Sequence, residues 1–180
     1  MLLDPSRSVL LLIDVQERLA PAMADAAAVV DRCVLLLRAA ARLGVPVLTS
    51  EQYPKGLGRT LHSLRELIDG QPIVAKTSFA CTGEPDWQKA LDGLGRDQAV
   101  IAGMEAHVCV LQTALALIER STRVAVVADA VGSRRHSDRD LALARMARAG
   151  AEIVSSEMVV FEWLGQAGTP EFKELSALVR

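Results

Sequence analysis

Short apolar runs alternate along this chain with longer stretches whose apolar residues recur three and four apart. The runs are Ser8–Asp14 (SVLLLID), Val45–Ser50, Pro72–Lys76 (PIVAK), Ala99–Ala102, Arg123–Ala128 (RVAVVA) and Glu152–Ser155. Most are apolar throughout, which is the pattern of strands buried on both faces. Ala24–Leu43 is an Ala-, Leu- and Val-rich helix, stopped by Gly44 where a C-terminal cap prefers glycine. Leu61–Ile68 predicts a short helix, and Pro85 opens another that runs to about Leu94. Val108, Leu111, Leu115 and Ile118 then recur at helical spacing. Ser137 caps a helix through Ala149, closed by Gly150, and helical segments follow the last strand to Arg180. Glu51–Thr60 is a Gly- and Pro-punctuated loop, longer than a plain connection needs, and Thr77–Glu84 and Asp129–His136 are loops as well.

Strands alternating with helices in this order specify a parallel sheet covered on both faces, an α/β chain folded as a three-layer α/β/α domain. No internal repeat, low-complexity segment or linker interrupts it, so residues 1–180 read as a single domain.

Composition narrows the function classes. The chain is 51% hydrophobic but only 3% aromatic, so its core is built from Ala, Leu and Val. The net charge of −2, with acids and bases interspersed, argues against a nucleic-acid or anionic-membrane surface. Cys33, Cys81 and Cys109 are too far apart for a disulfide framework or a zinc ligand set, and they fit a reducing cytosol. The amino-terminal apolar run is broken by Asp14, with no basic leader and no small-residue cleavage site, so it reads as a strand rather than a signal peptide. No apolar stretch reaches membrane-span length. A soluble, cytoplasmic protein is expected.

The candidate chemistry lies at the strand ends. Cys109 falls in the first turn of a helix just past the fourth strand, where unpaired N–H groups favour thiolate over thiol and lower its pKa. Asp14 ends the first strand and Lys76 the third, so all three residues share the carboxyl edge of the sheet, where open α/β folds bind ligands. A carboxylate beside a thiol takes its proton. An ammonium close to both favours the charged forms. The N–H groups of Glu105 and Cys109, in the turn before the helix, are candidates for an oxyanion hole. The plainer reading makes Asp14 and Lys76 a structural ion pair and Cys109 a small hydrophobe.

With these residues in view, LLIDVQ around Asp14, VAKTSF around Lys76 and AGMEAHVCVLQTALAL around Cys109 resemble the isochorismatase-like cysteine hydrolases. That superfamily includes nicotinamidases and N-carbamoylsarcosine amidohydrolase. The three pieces come in the family's order, and the likeness covers nearly the whole chain. SEQYPKGLG, KTSFACT and GMEAHVCVLQTAL are most similar to the isochorismatase domain-containing proteins. The resemblance implies a six-stranded parallel sheet of Rossmann-like kind and a catalytic triad. Cys109 is then nucleophile, Asp14 general base and then acid, and Lys76 electrostatic support. It further implies a non-proline cis peptide at Met104–Glu105 and a homo-oligomer. The reaction it implies is hydrolysis of a C–N bond in a small amide, imide or ureide through a thioester on Cys109.

Two departures shape that expectation. Nicotinamidases carry an Asp-x-His metal motif and a further His between the triad Asp and Lys, where this chain has Glu51-Gln52-Tyr53 and a lone His62. A metal-independent enzyme without a cofactor is therefore expected, and nicotinamide is not the expected substrate. Isochorismatases of siderophore pathways lack a cysteine at the nucleophile position, so Cys109 points to acyl chemistry instead. No G-x-G-x-x-G follows the first strand, which excludes a dinucleotide fingerprint.

The remaining candidates are pocket residues. Gln16 reads as orienting Asp14 or as a helix entry, and Gln52, Tyr53, Phe79 and Trp87 lie on or near the loops of the active edge. His107 reads as a substrate contact or as a histidine bonded to backbone. Cys81 is a resolving thiol in one reading and a pocket-lining residue in the other, while Cys33 is core. Arg134 and Arg135 read as solvated, and His136 in the same loop has a subunit contact as its alternative. Against the enzyme stands a different class, an oligomeric scaffold or redox-sensing thiol protein on the same fold. The discriminator is alkylation, since an activated Cys109 reacts with iodoacetamide well below pH 8.

Overall fold

A computed structural model describes residues 2–179. Among them six strands form one parallel sheet: β1 (Ser8–Ile13), β2 (Val47–Gln52), β3 (Ile73–Lys76), β4 (Gln98–Met104), β5 (Arg123–Gly132) and β6 (Glu152–Val154), in the order β3-β2-β1-β4-β5-β6. The helices are α1 (Ala26–Leu43), α2 (Pro54–Leu57), α3 (His62–Arg65), α4 (Pro85–Leu94), α5 (Leu111–Glu119), α6 (His136–Arg148), α7 (Ser156–Leu164) and α8 (Pro170–Ser176). Side chains alternate along β1 and sort into two cores. Leu10 and Leu12 pack with Val29, Leu36, Val159 and Trp163 of α1 and α7, while Val9, Leu11 and Ile13 pack with Trp87, Leu117 and Met146 of α4, α5 and α6. The three-layer α/β/α architecture with its six-stranded parallel sheet is the expected one.

The chain leaves β1 toward β2 on one side and returns to pair β4 with β1 on the other, so the strand order reverses between β1 and β4. Such a reversal opens a crevice at the carboxyl ends of the two strands. Asp14 and the turn after Met104 flank it. Ile13 pairs with Gly103 at this point. Gly103 has φ +129, and a Cβ there would meet the Ile13 carbonyl oxygen at 2.0 Å. Only glycine lets the two backbones approach so closely.

Several boundaries differ from the reading of the sequence. The second strand runs on through Glu51 and Gln52, because Glu51 pairs with Ala75 and Gln52 with Lys76. The ladder continues where apolarity stops. β5 extends to Gly132 instead of ending at Ala128, with a register shift: Ile101 faces Val126 but Gly103 faces Val131. The expected helix over Leu61–Ile68 contracts to α3. α6 starts at His136, ahead of Ser137, and has no side-chain cap. Cys109 lies not in an α-helix but in a π-helical turn, Ala106–Val110, that precedes α5.

Thr49 of β2 is fully buried, and its Oγ1 has no hydrogen-bond partner. A buried hydroxyl left unpaired costs about 1–3 kcal/mol. A Thr49→Val protein, nearly isosteric, is therefore expected to be more stable by about 1 kcal/mol, and a higher midpoint in urea at unchanged slope would register it. An unchanged or lower midpoint would mean that the hydroxyl has a partner after all.

Candidate active site

Asp14 directly follows β1 in a left-handed conformation (φ 52), and its N–H donates to the Ser50 carbonyl at 3.1 Å. That turn aims the carboxylate into the crevice. Oδ1 accepts from Ser50 Oγ at 2.7 Å, and Oδ2 faces the Lys76 ammonium at 2.7 Å with both side chains wholly buried. No neutral donor reaches Oδ2. Lys76, the last residue of β3, also donates to Gln52 Oε1 at 2.6 Å and to the carbonyls of Ser78 and Phe79 at 3.3 Å each. Burial pulls its pKa down, but the Asp14 carboxylate and the neighbouring thiols outweigh this and hold the ammonium above its usual range.

Cys109 completes the group. It is 5% exposed, and its Sγ lies 4.0 Å from the same Gln52 Oε1 that the Lys76 ammonium holds. Burial first, and then the charge of Asp14, push the thiol well above the ordinary cysteine range, while Lys76 pulls the other way. This reverses the expectation from helix position, because the loss of solvent outweighs the few N–H groups of the turn. At rest the group is a thiol beside a carboxylate. Since the pKa is raised, the thiolate is a minor species at neutral pH, and its fraction grows tenfold per pH unit up to that pKa. Alkylation of Cys109 by iodoacetamide is accordingly expected to be slow at pH 7 and still rising at pH 9; a plateau below pH 8 would contradict this.

The other predicted residues divide. Gln52 sits in the group, touching Lys76 and Cys109. Gln16 meets Asp14 through its backbone, its N–H donating to the Asp14 carbonyl at 2.9 Å, while its side-chain amide donates to the carbonyls of Gln52 (3.0 Å) and Gly58 (2.7 Å) and accepts from the Gln52 N–H (2.8 Å). It locks Gln52 in place from behind. Tyr53 and Phe79 stand at the rim, 55% and 53% exposed, next in sequence to or bonded through residues of the group. Trp87 is not at the site; it is core beneath α4. His107 bonds a side chain rather than backbone, with Nδ1 3.0 Å from Ser133 Oγ. Arg134 is not simply solvated but donates to Glu105 Oε2. His136 lies 3.6 Å from Asp25. Cys33 is core, as expected, and burial pushes its thiol up to about 12.

Cys81 is fully buried, its thiol pushed up to about 11 by burial and then by Asp14. Its Sγ lies 3.5 Å from Ser50 Oγ, and its N–H donates to Thr113 Oγ1. Ser50 itself was missed in the sequence, although it is the residue opposite Ile13 in the β1–β2 register. The signal was available only once β1 and β2 were paired. The Met104–Glu105 peptide is cis, at the bond the resemblance singled out. The carbonyl of Glu105 accepts from the N–H groups of Val108 (3.1 Å) and Val110 (3.2 Å), the residues on either side of Cys109.

The residues standing where the resemblance to nicotinamidases implies metal ligands do not fit a metal. The Glu51 carboxylate takes the Thr60 N–H and hydroxyl at 2.7 and 2.9 Å, and His62 is at the surface beside Glu66. Among the described residues no cluster of three or more His, Cys, Asp or Glu is placed to hold an ion.

The Isochorismatase domain model matches residues 8–158. Isochorismatase domain-containing protein 2A of Mus musculus is 40% identical over 177 residues, covering 98% of this chain and 84% of that protein. A solved structure of the MAR1 ribonuclease from Caenorhabditis elegans superposes with a TM-score of 0.93 at 37% identity, covering 99% of this chain and 92% of that one. The YcaC gene product of Escherichia coli, described as an octameric hydrolase of unknown specificity, superposes with a TM-score of 0.94 at 26% identity, covering 99% and 90%. With a family model spanning most of its length and relatives similar from end to end, the chain belongs to the isochorismatase family.

Proposed function

We propose that this protein is a cysteine hydrolase that cleaves a C–N bond of a small amide, imide or ureide through a thioester on Cys109. The observation that carries the reading is the convergence of Cys109 with a buried Asp14–Lys76 pair whose Oδ2 takes no other hydrogen bond. Asp14 takes the thiol proton as the sulfur bonds to the substrate carbonyl carbon, and the carbonyl electron pair moves onto oxygen. The N–H groups of Glu105 and Cys109 receive that oxyanion. Asp14 returns the proton to the leaving nitrogen, the C–N bond breaks, and ammonia or an amine departs. Water then gives a proton to Asp14 and attacks the thioester; the C–S bond breaks, the acid leaves, and the sulfur recovers its proton. Lys76 stays charged throughout.

Two other readings are weaker. A redox-sensing thiol needs exposure and thiolate character, whereas Cys81 is fully buried and Cys109 nearly so, both held as thiols. A ribonuclease reading, carried by the name of the C. elegans relative, meets a chain of net charge −2, where binding a polyanion calls for a basic surface. The chain is also read as working as a homo-oligomer, in keeping with the E. coli relative's description. Among the described residues no helix is long and apolar enough to cross a membrane.

The test is a panel of small amides, imides and ureides scored for ammonia or amine release, with an RNA substrate alongside. For any substrate turned over, acid quenching during the steady state is expected to leave an acyl mass on the peptide containing Cys109, removable by hydroxylamine. Turnover of an amide by a Cys109→Ala protein at the wild-type rate, or degradation of RNA alone, would overturn the proposal.

A further inference from the structure

We infer that Ser133 and Arg134 form a clasp that positions the oxyanion turn, making them positioning residues for the reaction proposed above, on which this inference rests. The turn supplies both proposed oxyanion donors, and two of its side chains are held from outside by consecutive residues. Arg134 donates to Glu105 Oε2 twice, from Nε at 2.9 Å and from its own backbone N–H at 3.3 Å. Ser133 Oγ meets His107 Nδ1 at 3.0 Å. Ser133 is almost fully buried, and its carbonyl accepts from the Ala24 N–H at 3.0 Å, which anchors the clasp to the segment before α1. Glu105 is itself nearly buried, so its carboxylate is fixed by one neighbour rather than by solvent.

The irregularity of β5 places the clasp. Two residue steps on β4, Ile101 to Gly103, correspond to five on β5, Val126 to Val131. The three extra residues carry the end of β5 forward until Gly132 pairs with Met104, the last residue before the turn. Bulges beside active sites re-aim the chain in this way. Without it, Ser133 and Arg134 would fall three positions out of register with Glu105 and His107. Neither residue touches the reacting atoms: Arg134 acts through Glu105, and Ser133 through His107.

Hydrolysis and alkylation respond differently to such a device. Attack on a carbonyl develops an oxyanion that the turn must receive, whereas iodoacetamide is attacked at a saturated carbon and develops none there. Arg134→Ala, Ser133→Ala and Glu105→Gln are therefore expected to lower kcat by about 10- to 100-fold, the scale of a small misplacement of catalytic groups, with KM within about threefold. Their Cys109 alkylation rates at pH 8 are expected to match the wild type. Glu105→Ala and Arg134→Ala combined are expected to cost no more than Glu105→Ala alone, since losing the carboxylate already breaks both Arg134 bonds. Wild-type kcat in Arg134→Ala and Ser133→Ala, measured where Cys109→Ala is inactive, would overturn the clasp and leave the hydrolase standing. Equal losses in hydrolysis and alkylation would also overturn it, because they would report a disturbed thiol rather than a disturbed oxyanion turn. Activity in Cys109→Ala would remove the hydrolase reading itself.

Discussion

An Asp14→Asn protein is expected to lose hydrolytic turnover by about 10³-fold or more while its Cys109 becomes easier to alkylate. The two readouts move in opposite directions because Asp14 plays opposite parts in them. In the proposed reaction it accepts the thiol proton and donates to the leaving nitrogen, and removing a general acid–base group costs about 10²–10⁴. In alkylation of the resting protein its negative charge is a penalty, since after burial it is what most raises the Cys109 pKa. Removing that charge lowers the thiol pKa, so the thiolate fraction at pH 8 rises, and Lys76 then acts on the sulfur against burial alone. The asparagine oxygen remains an acceptor for Lys76, which keeps its bonds to Gln52, Ser78 and Phe79, so the fold is expected to survive. Circular dichroism would check that. Asp14→Asn with alkylation slowed in parallel with turnover would mean that the carboxylate drives thiolate formation at rest, and the assignment of charges at the site would be wrong.

That result turns on a feature the sequence misleads about. Position alone puts Cys109 near a helix start and so favours the thiolate; burial in a crevice, which no local pattern reveals, decides the sign. The architecture was far more legible. Apolar runs of the right length separated by amphipathic stretches specify strands and helices because burial on both faces of a parallel sheet permits little else. Asp14, Lys76 and Cys109 stood out because an ionisable or nucleophilic group at the end of an apolar strand must face partners or a cleft. What the pattern hides is whatever depends on pairing. Ser50 looks like any polar residue after a strand until the β1–β2 register sets it opposite Ile13, next to Asp14. The advance of β5 past Ala128 is hidden because Asp129 reads as the start of a polar loop, whereas Ala130 and Val131 beyond it are buried in the two cores on opposite faces of the sheet. Trp87, a large aromatic near a loop of the active edge, is one of four residues of which the sequence offers one or two to the pocket, and burial puts it in the core between α4 and the sheet.

The pairing of β1 with β4 carries the second large effect. Gly103→Ala is expected to destabilise the protein by more than about 3 kcal/mol, or to prevent its accumulation, and to abolish activity in whatever folds. Two costs combine there. The backbone at φ +129 is one that a side chain rarely adopts, and the added Cβ would stand 2.0 Å from the Ile13 oxygen and 2.7 Å from its nitrogen and carbonyl carbon. All three are backbone atoms of the adjoining strand, so no rotamer change relieves the clash. The strands must part at the reversal of strand order, with Asp14 following one of them and the Met104–Glu105 turn the other. Gly95→Ala separates the two costs. Gly95 caps α4 at φ +62 with nothing within 4 Å of its Cβ position, so only the conformational penalty of about 1–2 kcal/mol applies. Urea unfolding of both variants measures the difference directly. If Gly103→Ala lost no more stability than Gly95→Ala, the close approach of β1 and β4 would not be what holds Asp14 and the turn before Cys109 together.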